Sequence, residues 1–160
     1  MLFRSGWKLD QPCCQEHELY LRLLIGNKRF VYCPRNGAIY RQWSGGTICT
    51  RDIKEVHRRR LEIKHRAEEH LAKASQLTSE RLRALNQARF EIARNVWRYD
   101  PDFAGEIVAQ IQSLEPRFMP EGRAAPARYR FVYWCFGFRA AENMADATRQ
   151  YLRPLLARLT

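Results

Sequence analysis

From Thr50 onward the apolar residues recur at helical intervals, and this periodicity confines most of the chain to α-helix. Ile53, Val56, Ile63, Ala67, Leu71 and Ala74 mark the inner face of a first long helix, leaving Arg58, Arg59, Lys64 and Arg66 largely outside. Asp52, followed by Glu55, predicts a capping box at its start. A second helix is predicted from Ser79 to Trp97, with Leu82, Leu85, Ala88, Ile92 and Val96 inward. Asp100-Pro101 opens a third: the acid caps the helix, and the proline N–H is not missed in a first turn. Phe103, Ile107, Ile111 and Leu114 form its apolar face. Glu115 to Pro126, with three prolines and a glycine, reads as a loop. Pro126 then opens a last helical region, kinked at Gly137 and ending near Leu159, and no internal repeat is visible.

At 160 residues and 46% hydrophobic, the chain is long and apolar enough for one ordinary domain. The formal net charge of +11 favours anionic partners: nucleic acid, acidic lipid headgroups or phosphorylated ligands. Charge alone does not choose among them. The five cysteines are odd in number and include the adjacent pair Cys13-Cys14. With no basic-apolar-small leader at the N-terminus, this usage points to a cytoplasmic setting with free thiols. The longest near-apolar run, Phe131 to Phe138, falls far short of the roughly 20 residues that cross a bilayer, so no transmembrane helix is expected.

The stretch Cys13–Leu24 reads as a separate amphipathic helix. Leu19, Tyr20, Leu23 and Leu24 share a face, while Glu16 and Glu18 lie in the first turn, where the positive end of the helix dipole favours them. Gly26 and Asn27 close it. Before it, Leu2-Phe3 reads as a short strand. After it, Phe30–Cys33 and Ala38–Arg41 predict a β-hairpin across Pro34-Arg35-Asn36-Gly37, and Ser44-Gly45-Gly46 is a loop.

The order of these residues resembles the acceptor-side segment of family-2 glycosyltransferases, which use nucleotide-diphospho-sugars. That segment reads Glu-Asp-x-Asp-Leu-x-Leu-Arg-Leu, then a strand near Tyr-Val-Pro, then Tyr-Arg. Here it runs Gln15, Glu16, His17, Glu18, Leu19, Tyr20, Leu21, Arg22, Leu23, then Phe30 to Pro34, then Tyr40-Arg41. The resemblance covers the first third of the chain closely and the helical remainder loosely. It implies that Glu16 is the general base that deprotonates the acceptor hydroxyl, one methylene longer than the family's aspartate. Gln15, Glu18, Arg22, Tyr40, Arg41 and Trp43 are implied as supporting acceptor-side residues. Many relatives carry a histidine after the Tyr-Arg pair; Gln42 and Trp43 stand here, so no metal ligand is implied in this chain.

The resemblance implies a mainly α fold with a small β-hairpin. Residues 1–50 would be the acceptor-side remnant of an A-type glycosyltransferase domain, and 51–160 a helical C-terminal region. The implied reaction moves a sugar from a nucleotide-sugar donor to a hydroxyl acceptor. A donor-binding half would be supplied elsewhere, as in a truncated gene product or by a separate chain of a split enzyme. The chain alone is then expected to be inactive, with no cofactor of its own and a divalent Mn or Mg ion belonging to the complete enzyme. The alternative is a small basic α-helical module that binds nucleic acid or a protein partner.

Four further features are read structurally. Asp100-Pro101-Asp102 has the form of the metal-binding Asp-x-Asp of glycosyltransferases, but it follows the acceptor helix and starts another, so it is read as a cap. Cys13, Cys14 and His17, with Cys33 or Cys49, match no standard zinc spacing and are read as buried thiols. The run Arg51–Arg66 alternates with Asp52, Glu55 and Glu62. A solvated face with internal ion pairs accounts for it, the alternatives being RNA or DNA and an anionic membrane surface holding the protein peripherally. The cluster Phe131, Tyr133, Trp134, Phe136 and Phe138 is expected as a packed core face rather than an interfacial anchor.

Overall fold

The computed structural model describes residues 8, 10–32, 34 and 52–156. Among them the protein is mainly helical and carries no strand. The helices are α1 (Gln15–Ile25), α2 (Ile53–Lys73), α3 (Ser79–Val96), α4 (Pro101–Leu114) and α5 (Ala127–Leu156), with a 3-10 turn at Gly122–Ala124. No described helix is long and apolar enough to cross a membrane. The chain divides into two compact units, Met1–Leu77 and Thr78–Thr160. The basic helix α2 therefore belongs with α1, whereas the sequence reading draws its boundary after residue 50.

In the first unit α1 and α2 close over a small core of Cys13, Cys14, Leu21, Val56 and Ile63, with Ala67 at its edge. Cys13 and Cys14 are buried free thiols, and the Cys14 Sγ donates to the Val56 carbonyl at 3.6 Å. The predicted C-cap forms in full. Asn27 takes a positive φ of 52°, its N–H reaches the Leu24 carbonyl, and the Lys28 N–H reaches that of Leu23, which satisfies two orphan carbonyls. Helix α2 ends the same way on Ser75, at φ 55°. At its start only half of the expected capping box is made. Asp52 accepts from the Glu55 N–H at 2.9 Å, but the Glu55 carboxylate turns instead to Arg59 at 2.7 Å. Of the expected hairpin, Phe30–Tyr32 are described and form no strand; the turn and second arm, like the Leu2-Phe3 strand, lie outside the described residues.

The second unit is built around Phe90. Its ring meets Phe118, Tyr129, Tyr133 and Phe138 at centroid distances of 5.7 to 6.1 Å, in tilted or edge-to-face contacts. The inner face of α3 is the expected one at Ile92 and Val96, which are buried, and differs earlier in the helix. Leu82, Leu85 and Ala88 are only half-buried, while Asn86, Arg89, Phe90 and Ala93 take the core line. The buried polar pair is held by hydrogen bonds. Arg89 donates to the Asn86 side chain at 3.0 Å, and Asn86 donates to Glu115 at 3.1 Å. Arg83 and Gln87, one turn away, fasten the loop after α4: Arg83 pairs with Glu115 and Glu121, and Gln87 exchanges two hydrogen bonds with the Glu121 backbone.

Helix α4 presents Ala104, Ile107, Val108 and Ile111 to this core. Helix α5 breaks at Gly137, whose φ of 79° and ψ of −178° no L-residue adopts without strain. The aromatic cluster is divided by the turn of the helix rather than by the kink. Tyr133 and Phe138 enter the core, but Phe131, Trp134 and Phe136 are exposed, so this stretch is not the uniformly packed face expected from its composition.

Candidate functional site

Helix α1 positions the residues that the resemblance singles out. Gln15, at its first turn, donates from its side chain to the Gln11 carbonyl at 2.9 Å and so ties down the incoming chain. Glu16, on the next position, is exposed and makes no hydrogen bond or ion pair among the described residues. Glu18 is its opposite: only 1% exposed, and bound by three cations. Arg22 Nε lies at 2.7 Å, Lys8 Nζ at 3.2 Å and Arg66 Nη1 at 3.3 Å. Burial works to raise the Glu18 carboxyl pKa, but the hydrogen bonds from Arg22, Lys8 and Arg66 outweigh it and hold the group below the ordinary carboxylate range. Glu18 and Arg22 thus join α1 to α2, and neither is free for chemistry. Tyr40, Arg41 and Trp43 lie outside the described residues.

The residue after Glu16 faces cations of α2. Burial, Arg60 and Lys64 push the adjacent His17 below its ordinary pKa, with Glu16 acting in the opposite direction. On the same side of α2, burial and then Arg60 lower His57, whose Nδ1 has no hydrogen-bond partner among the described residues. Glu16 is thus an exposed carboxylate, unengaged among the described residues, in the unit that also carries the basic helix α2. Elsewhere on α2 the basic run is partly compensated, since Arg59 binds both Glu55 and Glu62.

A second polar site, not foreseen from the sequence, lies in the C-terminal unit. Two adjoining clefts of about 390 and 430 Å³ share Arg94, Arg123 and Arg149, and the second adds Arg128 and Tyr129. Their floor is the fully buried Glu142. Its Oε1 accepts from Arg94 Nε and from the Tyr129 hydroxyl, the latter at 2.8 Å, while Oε2 stands 3.5 Å from Arg149. Arg94 also donates to the Ala124 carbonyl, and its guanidinium lies 4.2 Å from the centre of the Tyr129 ring. Burial, reinforced by Glu142, drives the Tyr129 phenol far above its ordinary pKa, so it serves only as a hydrogen-bond donor. Arg123 and Arg128 make no ion pair among the described residues, which leaves the clefts net positive and suited to an anion. The sequence signal, four arginines and one glutamate scattered over 56 positions from Arg94 to Arg149, carries no spacing by which it could be found.

The residues described do not fit a divalent metal. No group of three or more His, Cys, Asp or Glu comes together among them. Asp100 accepts from the Phe103 N–H at 3.2 Å, the helix cap expected of it, and Asp102 is exposed and pairs with Arg139 at 3.4 Å. Comparison of the chain with family models, curated proteins and solved structures finds no match.

Proposed function

We propose that the chain supplies the acceptor side of a family-2-like glycosyl transfer, with Glu16 as general base. In this reading Glu16 takes the proton of an acceptor hydroxyl. The freed oxygen attacks the anomeric carbon of a nucleotide-diphospho-sugar, and the bond to the diphosphate breaks with its electron pair leaving on the nucleotide. The single observation that carries the reading is the division of labour on α1. Glu18 is immobilised by three cations, while Glu16, two positions earlier, stands in solvent with its carboxylate unengaged among the described residues. A helix-terminal acid that served only as a cap would be folded back onto backbone amides; α1 has no side-chain cap bond at all.

The reading assigns Phe30–Arg41 to the β-hairpin of an A-type fold and sets Tyr40, Arg41 and Trp43 beside the acceptor. Tyr20, which meets Phe30 edge to face at 6.2 Å, starts that connection from the helix. Donor binding falls to elements other than the described helices, in a separate body or chain. The test is Glu16→Gln in an assembly that carries both halves, with donor affinity and turnover measured separately. Loss of the base lowers turnover on the order of 10²–10⁴-fold and leaves donor affinity in place. Equal turnover in the Gln variant removes the assignment.

A further inference from the structure

The first half of α5 turns two aromatic residues inward and sets others in water. Tyr129 and Tyr133 are buried, whereas Phe131 and Trp134 are 63% and 71% exposed, and Cys135 is exposed beside them. At about 100° per residue these three share the outward face of the helix, with Arg128 and Arg130 on its two flanks. Phe136, 72% exposed next to the Gly137 kink, lies on another side of the helix and is not part of this face. From Gly122 to Ala141 the sequence holds Arg123, Arg128, Arg130 and Arg139 and no acid. Only Arg139 among these has an acidic partner in the described residues, the exposed Asp102.

An aromatic strip of this kind is costly to leave hydrated, and a contiguous exposed apolar patch marks a surface that meets something else. The charge pattern indicates what it meets. A second copy of the chain placed face to face would bring arginine flanks against arginine flanks, whereas an anionic surface satisfies rings and guanidiniums together. Trp and Phe also sit well at the boundary between headgroups and acyl chains, and arginine can reach from there to lipid phosphates. We propose that the Phe131–Trp134 face, flanked by Arg128 and Arg130, docks on an anionic phospholipid surface, the helix lying in the plane of the interface. The positive clefts that Arg123 and Arg128 line open beside the same helix and add to the attraction. The inference is independent of the glycosyl-transfer reading.

The whole chain is tested by co-sedimentation with vesicles of phosphatidylcholine alone and of phosphatidylcholine mixed with phosphatidylglycerol. Binding to the mixed vesicles and little to the neutral ones is expected. The double variant Phe131→Ser/Trp134→Ser, altered only on the exposed face, loses partitioning on the order of 10- to 100-fold with its helical circular dichroism retained. Arg130→Gln weakens binding to the anionic vesicles about fivefold. A second measurement needs no disruptive change: bromine-labelled acyl chains quench tryptophan fluorescence in the native protein and much less in Trp134→Phe, which still sediments. Equal binding by the native chain and the double variant, or quenching unchanged in Trp134→Phe, overturns the proposal. So does a native chain that ignores both vesicles, and so does one that self-associates in solution through this face without binding lipid.

Discussion

Glu16 and Glu18 stand two positions apart on α1, about 200° around the helix axis, and therefore cannot share an environment. The side turned toward α2 takes Glu18 into the reach of Lys8, Arg22 and Arg66; the other side leaves Glu16 in water. Removing the Glu18 charge strands three cations around a buried amide. Because those cations keep part of their hydration, Glu18→Gln is expected to destabilise the N-terminal unit by about 2–3 kcal/mol, below the range for fully buried pairs. The pH dependence has a definite sign. The folded-state pKa of Glu18 is depressed, so its contribution is complete above the unfolded value of about 4.3 and is lost as pH falls through the lower folded value. Thermal melts of both proteins across the acid range check this. The native chain should lose stability there more steeply than the Gln variant, and parallel losses would show that Glu18 is not the group responsible. The place of Glu18 in the first turn of a helix was visible in the sequence; its pairing with Arg22, four residues on, was not read there. Lys8 and Arg66, 10 and 48 positions away in the chain, were not visible, because nothing local announces a contact made across two helices.

Helix boundaries were the most legible part of the sequence because capping is local chemistry. Asp52, Thr78 and Asp100 each accept a backbone N–H from three residues on, and Asn27 closes α1. The inner faces were less legible. Periodicity placed Leu82, Leu85 and Ala88 of α3 in the core, yet Asn86 and Arg89 go there: Glu115, at the end of α4, accepts from Asn86, and Asn86 accepts from Arg89. An apolar count cannot register a polar residue whose partner lies 29 positions away. The aromatic cluster of α5 failed for a related reason: four of its five rings precede the kink at Gly137 and point round the helix at about 100° per residue, so only Tyr133 of those four is buried. That kink is itself testable. Nothing lies within 4 Å of a Cβ built at Gly137, so the obstacle to a side chain is the backbone angle and not space. Gly137→Ala should destabilise the C-terminal unit by at least about 1 kcal/mol, measured by chemical denaturation. A neutral or stabilising effect would mean that α5 runs straight through this position in solution.

Among the described residues two polar sites differ in character, an unengaged carboxylate near the start of α1 and an arginine-lined pair of clefts in the C-terminal unit. Their chemistry leads to a definite expectation for nucleotide-sugars. A diphosphate leaving group needs its growing charge neutralised, by a divalent ion on carboxylates or by a fixed set of positive groups. The described carboxylates are otherwise engaged or isolated: Asp100 caps a helix, Asp102 faces Arg139, and Glu142 lies beneath Arg94 and Arg149. Arg123 and Arg128, without acidic partners among the described residues, can still attract phosphate, though from exposed positions where salt screens them. The chain alone is therefore expected to bind a nucleotide-sugar weakly, with no response to Mn²⁺ and with the affinity lost in moderate salt, and to show no transferase turnover. Calorimetric titration with a panel of nucleotide-sugars, in Mn²⁺ or in EDTA and at low and high salt, reads each part separately. Arg123→Gln/Arg128→Gln should abolish whatever binding low salt reveals, while Glu16→Gln should leave it unchanged, because Glu16 lines neither cleft. Tight binding of one donor that disappears in EDTA would place a metal-dependent donor site within these 160 residues and overturn the division of the reaction between two bodies.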